Sequence, residues 1–351
     1  MNKILVTGGC GYIGAHTILD LIENGFDPIC IDNNSRSTAA LLTGIKEITG
    51  KDVKNYKVDL ANFDDTYAVF QENSDIKGII HFAAYKAVGE SVAKPLMYFE
   101  NNLFSLINVL KCTQEFDIPN FIFSSSCTVY GSPDSIPVTE ESPTKPAESP
   151  YGATKQMGEE IVRDVTNTSD LKSILLRYFN PVGAHPTTLI GELPLGKPEN
   201  LVPAITQTAI GKIKELTVYG NDYPTRDGSC IRDYVHVCDI ARAHTLALQY
   251  LIENKNKDKC EVFNLGTGNG VSVLEAILAF EKVSGQKLNY KIGPRRPGDI
   301  MAIYANNSFA KEKLNWNPKF GLDEMMETAW KWELKLQKDA SLHNNPNFQM
   351  N

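Results

Sequence analysis

Short apolar runs alternate with helically spaced apolar positions through the first half of the chain. Ile4-Leu5-Val6 runs into glycines and predicts a strand. Ile18, Leu19, Leu21 and Ile22 then recur at helical spacing up to Gly25, which fits a C-cap. Ile29-Cys30-Ile31 predicts a second strand ending at Asp32, residues 56–60 a weaker third, and residues 78–84 a fourth. The next helix places Leu103, Leu106, Ile107 and Leu110 on one face. Phe121-Ile122-Phe123 predicts a fifth strand running into Ser124-Ser125-Ser126, residues 151–165 a helix, and residues 173–178 a sixth strand. Such alternation predicts βαβ units with right-handed crossovers and a doubly wound parallel α/β sheet.

From about Pro181 the texture changes. Residues 181–200 are rich in Pro, Gly and Thr and predict a long loop. Segments 201–212, 216–219, 237–251, 262–265 and 274–283 then mix helix and strand patterns, as a smaller mixed α/β lobe would. The expected division is a nucleotide-binding unit over 1–180, a ligand-binding lobe over 181–340 and a frayed, asparagine-rich tail over 341–351. Later segments, about 235–265, are free to rejoin the first sheet.

Composition narrows the function classes. At 42% hydrophobic and 22% charged residues, the 351-residue chain has a soluble globular profile. No run approaches the ~18 apolar residues of a membrane span. The net charge of −7 argues against nucleic acid or an anionic membrane as partner. An anionic ligand then needs a few local cations or backbone amides. Seven cysteines, an odd number with no Cys-x-x-Cys spacing, read as reduced thiols of a cytoplasmic protein. The six histidines do not cluster with them, so no metal site is expected. The start reaches glycine too early for a secretory leader.

Gly8-Gly9-Cys10-Gly11-Tyr12-Ile13-Gly14 lies between the first strand and the first helix. Glycines there let backbone amides approach a pyrophosphate at the positive end of a helix. Two registers overlap, Gly9-x-Gly11-x-x-Gly14 and Gly8-x-x-Gly11-x-x-Gly14, and spacing leaves the glycine roles open. Asp32 ends the next strand 18 residues after Gly14, where a carboxylate receives the adenosine ribose hydroxyls. Together these features predict a Rossmann-type dinucleotide site. Asp32 would repel a 2′-phosphate, so NAD is expected over NADP; Arg36 is the nearby residue that would argue otherwise. Asp59 either bonds the adenine amine or simply ends the third strand.

Tyr151 and Lys155 stand four residues apart on one face of a predicted helix. Upstream, Ser124-Ser125-Ser126 closes a strand at the carboxyl edge of the sheet, where ligands bind. A phenol titrating near 10 is a poor base, and bringing it to about 7 takes roughly 4 kcal/mol. One cation at ~4 Å supplies about that at an effective dielectric near 20. A second positive charge, such as an oxidised nicotinamide, would assist Lys155, and its loss on reduction would couple proton transfer to hydride transfer.

From residue 3 to 335 the sequence resembles the extended short-chain dehydrogenase/reductases, and within them the enzymes that epimerise UDP-hexoses at C4. The resemblance is carried by Val-Thr-Gly-Gly-Cys-Gly-Tyr-Ile-Gly-Ala-His at 6–16, His-Phe-Ala-Ala-Tyr-Lys at 81–86, Ser-Ser-Ser-Cys-Thr-Val-Tyr-Gly at 124–131 and Ser-Pro-Tyr-Gly-Ala-Thr-Lys at 149–155. It continues with Leu-Arg-Tyr-Phe-Asn-Pro-Val-Gly-Ala-His at 176–185, Gly-Asn-Asp-Tyr-Pro-Thr at 220–225, Ile-Arg-Asp-Tyr-Val-His-Val at 231–237 and Arg-Arg-Pro-Gly-Asp at 295–299.

The resemblance implies interconversion of UDP-glucose and UDP-galactose on permanently bound NAD, in a homodimer paired through helices 96–116 and 151–165. It implies that Tyr151 takes the proton of the sugar 4-hydroxyl, that Ser126 bonds the same oxygen, and that Lys155 holds the nicotinamide ribose. Around the cofactor it implies Gly8, Gly11, Tyr12, Ile13, Gly14, Asp32, Asn33, Asp59, Leu60, Phe82, Ala83, Ala84, Lys86, Asn101 and Tyr178. Around the UDP-hexose it implies Lys86, Asn180, Asn200, Leu201, Tyr219, Arg232, Arg296, Asp299 and Ile303. Arginine forks suit a diphosphate on an acidic protein, which supports the arginines independently. At Ile303 the family sets the room beside the sugar 2-substituent, and isoleucine's intermediate bulk predicts tolerance of N-acetylated sugars. Cys127 stands where the family more often has a small residue.

Three alternatives share the scaffold. A dehydratase needs acidic residues after Ser126, where this chain has Cys127-Thr128. A 4-ketoreductase would consume free cofactor. A non-catalytic NAD-binding regulator would not need Ser126, Tyr151 and Lys155 intact.

Overall fold

The computed structural model describes residues 1–339 apart from 194, 195, 197, 199, 297 and 298; the tail expected over 341–351 lies outside the described residues. In chain order the elements are β1 (Lys3–Thr7), α1 (Tyr12–Glu23), β2 (Asp27–Ile31), α2 (Ala40–Thr49), β3 (Asn55–Tyr56), α3 (Phe63–Glu72), β4 (Ile76–His81), α4 (Val88–Ala93), α5 (Pro95–Glu115), β5 (Asn120–Ser126), α6 (Pro150–Asn167), β6 (Lys172–Tyr178) and β7 (Asn180–Val182). They continue with α7 (Leu201–Ala209), β8 (Leu216–Tyr219), β9 (Ile231–His236), α8 (Val237–Ile252), β10 (Cys260–Leu265), β11 (Gly270–Ser272), α9 (Val273–Ser284), β12 (Tyr290–Gly293), β13 (Ala302–Ile303), α10 (Ser308–Leu314) and α11 (Leu322–Lys338).

Seven strands form one parallel sheet in the order β10-β6-β5-β4-β1-β2-β3. The order reverses between β1 and β4, so the loops after these two strands diverge and leave a crevice at the carboxyl edge. Both faces of the sheet are buried, which is why its strands read as unbroken apolar runs. On one face Ile4, Val6 and Ile80 pack with Ile18 and Leu21 of α1 and with Ala243, Ala247 and Leu248 of α8. On the other, Leu5, Ile79, Phe121 and Phe123 pack with Leu106 and Val109 of α5 and Val162 of α6. The third strand is shorter than its pattern suggests, because pairing with β2 ends at Tyr56.

Beyond β6 the chain builds a second sheet in which β9 is central, flanked by β7, β11 and β13. A two-stranded parallel ladder, β8 with β12, lies alongside. A separate apolar cluster joins Val202 and Ile205 of α7, Ile277 and Phe280 of α9, and Met325, Met326 and Ala329 of α11. The segment predicted as a long loop over 181–200 starts within β7, which pairs Val182 with His236. None of the described helices is long and apolar enough to cross a membrane.

Candidate active site

The glycine turn follows β1 directly, and each glycine answers a different steric demand. Gly8 has φ +70°, and a Cβ there would lie 2.9 Å from the Ala83 nitrogen. A Cβ on Gly14 would meet the Gly8 carbonyl oxygen at 2.3 Å, and one on Gly9 the Cys30 sulfur at 2.6 Å. At Gly11 an added Cβ would meet only the Gly8 oxygen, at 3.1 Å, so Gly11 borders open space. Gly8 and Gly14 therefore hold the turn closed, while Gly11 faces the crevice at the N-terminus of α1. This geometry fits a pyrophosphate approaching helix amides.

Asp32, at the end of β2, is held from three sides. Its carboxylate accepts from the Cys10 amide at 3.0 Å, the Asn34 amide at 2.9 Å and the Ser37 hydroxyl at 2.7 Å. Burial raises its pKa, and the Ser37, Asn34 and Cys10 donors oppose that. The carboxylate is thus oriented over the glycine turn, as a ribose-diol acceptor would be. The structure places Asn33 beside it, accepting from the Ser35 amide at 2.9 Å. Tyr12 and Ile13 open α1, and the Tyr12 hydroxyl donates to the Gly183 carbonyl beyond β7. Asp59 is exposed and accepts from the Ala61 amide, while Leu60 is buried and its carbonyl accepts from Asn108. Phe82, Ala83 and Ala84 follow β4, where the Phe82 and Ala83 amides donate to the Thr7 carbonyl and hydroxyl at 3.1 and 3.3 Å. Asn101, on α5, donates to Asn102.

The serine strand end and the Tyr-Lys helix meet at the carboxyl edge of β5. α6 is started by Ser149, whose hydroxyl accepts from the Gly152 amide at 3.2 Å, and by Pro150 at its first turn. One turn in, Lys155 Nζ donates to the Ser124 carbonyl at 2.6 Å and lies 5.9 Å from the Tyr151 ring centre. The Ser126 hydroxyl, which accepts from the Thr128 amide at 3.3 Å, neighbours the Tyr151 phenol and favours its ionised form. Tyr178 shares a short bond between its hydroxyl and that of Ser124.

Electrostatics here differ from the expectation of a lowered phenol. Tyr151 is 8% exposed, and desolvation, followed by Tyr178, pushes its pKa upward, with Ser126 working in the opposite sense. Burial also pulls Lys155 down to about 8, partly offset by Glu159. Loss of water dominates both shifts, because the two side chains sit in the same dry pocket. Cys127 is likewise pushed up to about 12 by burial, and is a poor nucleophile.

On the other side of the crevice, Arg232 on β9 donates to the Ile300 carbonyl at 2.6 Å and lies 3.7 Å from Asp299. Arg296 forks onto the same Asp299 at 2.7 and 3.2 Å and sits 5.5 Å over the Tyr219 ring. The structure thus gathers Tyr219, Arg232, Arg296 and Asp299 into one cluster. Ile303, paired with Arg232 across β13 and β9, is 3% exposed. Asn180 opens β7, while Asn200 and Leu201 start α7. Asn200 and Lys86 both donate to Glu192, each at 3.1 Å.

Comparison with known proteins accounts for nearly the whole chain. Residues 5–329 match the family model described as GDP-mannose 4,6 dehydratase. The UDP-glucose 4-epimerase of Bacillus subtilis (strain 168) is 48% identical over 331 residues, 94% of this chain and 96% of that protein. The chain belongs to the UDP-glucose 4-epimerases, within the extended short-chain dehydrogenase/reductase family. The UDP-glucose 4-epimerase of Mus musculus is 45% identical over 340 residues, 95% of this chain and 97% of that protein. The crystal structure of UDP-glucose 4-epimerase from Bifidobacterium longum in complex with NAD+ and UDP matches with a TM-score of 0.90 at 46% identity, covering 95% of this chain and 98% of that one. The enzyme from Stenotrophomonas maltophila with bound NAD and formylated UDP-arabinopyranose matches at 0.93 and 42% identity, covering 96% and 99%.

For a chain of the UDP-glucose 4-epimerases, three residues absent from the sequence-based site also shape it. Asn102 accepts from the Tyr85 amide at 2.7 Å and donates to the Tyr85 carbonyl and the Thr154 hydroxyl, fixing the loop after β4 against α6. Glu159 and Arg177 form a buried ion pair beneath α6. Only the helical offset of Glu159 from Lys155 marks it in the sequence.

Proposed function

We propose that the protein interconverts UDP-glucose and UDP-galactose, with Ser126, Tyr151 and Lys155 acting at sugar C4. The observation that carries this is the meeting of these three side chains at the carboxyl edge of β5, between a glycine turn with a held aspartate and an arginine pair suited to a diphosphate. The glycine turn, Asp32 and Lys155 are the residues that would hold NAD. When bound, NAD supplies the acceptor and donor of the C4 hydride and a positive ring near Tyr151. Tyr151 takes the proton of the 4-hydroxyl while Ser126 bonds that oxygen. Arg232 and Arg296 keep the diphosphate anchored while the 4-keto sugar turns. Tyr151 then returns the proton to the same oxygen, now that the opposite face of C4 is presented to the site.

Cys127 and Thr128 follow Ser126, so the acidic pair a dehydratase would use to eliminate water is missing. Conversion of UDP-galactose by purified protein without added NAD, and release of NAD on denaturation, separates this reading from a ketoreductase. Stoichiometric rather than catalytic conversion would exclude it.

We infer a homodimer from the outer faces of α5 and α6. Leu96, Phe104 and Met157 are 73%, 53% and 42% exposed there, a cost in water that pairing would remove. Sedimentation of the Phe104→Glu variant as a monomer, against a dimeric parent, tests it. Seven free cysteines suit a reducing cytoplasm.

A further inference from the structure

Beneath the helix that carries Tyr151 and Lys155 lies a buried ion pair that takes no part in the chemistry above. Glu159 follows Lys155 by one helical turn, and its side chain is 5% exposed. Arg177 of β6, 4% exposed, grips it in a fork, Nε to Oε1 at 2.8 Å and Nη2 to Oε2 at 2.6 Å. The Ser125 hydroxyl donates to the same Oε1 at 2.5 Å. Arg177 Nη1 also donates to the Tyr130 hydroxyl at 3.0 Å, which in turn donates to Asn264 of β10 at 2.7 Å. One carboxylate thereby ties α6 to β5 and β6, and through Arg177 and Tyr130 to β10.

Burying such a pair is a poor route to stability, since packed apolar residues of similar volume often do as well or better. Its location suggests another use. Ser125 stands between Ser124, whose carbonyl receives Lys155, and Ser126, which neighbours the Tyr151 phenol. A shift of Ser125 along the strand moves both neighbours. We propose that Glu159 is a positioning residue of this site: anchored by Arg177, its carboxylate aligns the Ser124–Ser126 strand end with Lys155 and gives the Lys155 ammonium an anionic neighbour. The inference deepens the epimerase reading and rests on it for its effect on turnover.

The groups around Lys155 leave that role to Glu159. From α6 itself come Tyr151 and Glu159. β5 contributes the Phe123 ring at 5.0 Å and the Ser124 carbonyl. β4 contributes His81, kept neutral because burial lowers it to about 3. β6 contributes the neutral Tyr178 phenol, and α5 the uncharged Asn102 and Tyr98. Around Glu159 stand Arg177, Arg163 at 3.7 Å on its own helix, Ser125, and Cys260 of β10. Burial pulls Lys155 down and Glu159 resists it. Removing the anion lets the ammonium lose its proton at lower pH, so activity fails earlier as pH rises.

The test compares the parent with Glu159→Gln, Glu159→Asp and the double variant Glu159→Gln/Arg177→Met, which leaves no unpaired buried charge if the single variant does not fold. Turnover of UDP-galactose is followed against pH. Independently of turnover, the Lys155 side chain is titrated by 13Cε NMR in lysine-labelled protein, its signal identified by loss in Lys155→Arg. Without the carboxylate, the NMR midpoint and the basic limb of kcat move down by about one pH unit. On that limb kcat falls roughly tenfold while KM stays within about twofold, and Glu159→Asp recovers part of the loss. An unmoved NMR midpoint in a folded variant lacking the carboxylate overturns the proposal. A parent that turns over no UDP-galactose overturns the epimerase reading instead, and the titration still decides the role of Glu159.

Discussion

Arg36 grips the Glu90 carboxylate with two contacts of 2.9 Å, Nη2 to Oε1 and Nη1 to Oε2, while its guanidinium sits 4.6 Å over the Tyr85 ring. Arg36 is the cation close to Asp32 in sequence, and a 2′-phosphate would need it. The fork to a carboxylate on α4 takes that guanidinium away from the end of β2. The nucleotide released on denaturation should therefore be NAD, with NADP below a few per cent by mass spectrometry. Asp32→Ser combined with Glu90→Gln should move the preference toward NADP by roughly 1.5–3 kcal/mol, read as the ratio of the two dissociation constants. The Arg36–Glu90 pair itself contributes little to stability, so Glu90→Gln by itself should leave the protein folded.

Tyr151→Phe removes the hydroxyl proposed to exchange the 4-hydroxyl proton beside Ser126. Turnover of UDP-galactose should fall by about 10²–10⁴. The ring still fills its pocket, so released NAD and UDP binding, measured by calorimetry, should match the parent. Loss of bound nucleotide in this variant would show that the phenol serves binding instead.

The glycines of the turn should separate by what a methyl would strike. Gly14→Ala puts a carbon 2.3 Å from the Gly8 carbonyl oxygen and 2.8 Å from Gly9 Cα, all backbone. It should cost roughly 1–3 kcal/mol and empty the protein of NAD. Gly25→Ala meets nothing within 4 Å and is strained only by its φ of +82°. It should cost about 1–2 kcal/mol and leave the nucleotide in place. Urea unfolding with quantitation of released NAD reads both.

Much of this arrangement is legible because it is local. The glycine turn, Asp32, the serine strand end and the Tyr-Lys pair each sit within one strand-loop-helix unit, where spacing along the chain is spacing in space. The second sheet is not, since β9 draws its partners from β7, β11 and β13, which have only three, three and two residues. No periodicity survives in strands that short. Asn102 meets Thr154 across 52 residues and Glu159 meets Arg177 across 18, contacts that tertiary packing alone creates. α11 is different. Met325, Met326, Ala329, Trp332 and Leu336 recur at helical spacing, and the pattern was open to reading beneath an abundance of charge. The rise of the Tyr151 phenol was illegible, because composition carries no measure of how much water a folded pocket excludes.

Acid should loosen the fold through buried imidazoles. Desolvation lowers His16, His81 and His236 to about 3 and His244 to about 4. These groups stay neutral in the fold, while an unfolded imidazole takes a proton near 6.5, so the unfolded chain binds protons first. Their contribution is complete above the unfolded value and is lost as pH falls toward 3–4. Buried carboxylates such as Asp233 and Asp239, raised by burial, act in the opposite sense. Each imidazole adds about 1.4 kcal/mol per pH unit to the slope once its unfolded form is charged. His244→Gln should therefore flatten the fall of urea-unfolding free energy between pH 6 and 4.5 by about that amount.

Ile303 should set the room beside the sugar. It is 3% exposed on β13, in register with Arg232, so its bulk is fixed in place and cannot swing toward solvent. An aromatic ring at this position would fill space that isoleucine leaves, and overpacking such a wall costs roughly 1–3 kcal/mol. The parent should therefore turn over UDP-GalNAc as well as UDP-galactose. Ile303→Tyr should lose the N-acetylated substrate by at least about tenfold in kcat/KM while retaining UDP-galactose, since only the bulkier 2-substituent meets the ring. Ile303→Ala should shift the ratio the other way. Equal losses for both sugars in Ile303→Tyr would mean that the residue supports Arg232 and the diphosphate end, and that the 2-substituent is read elsewhere.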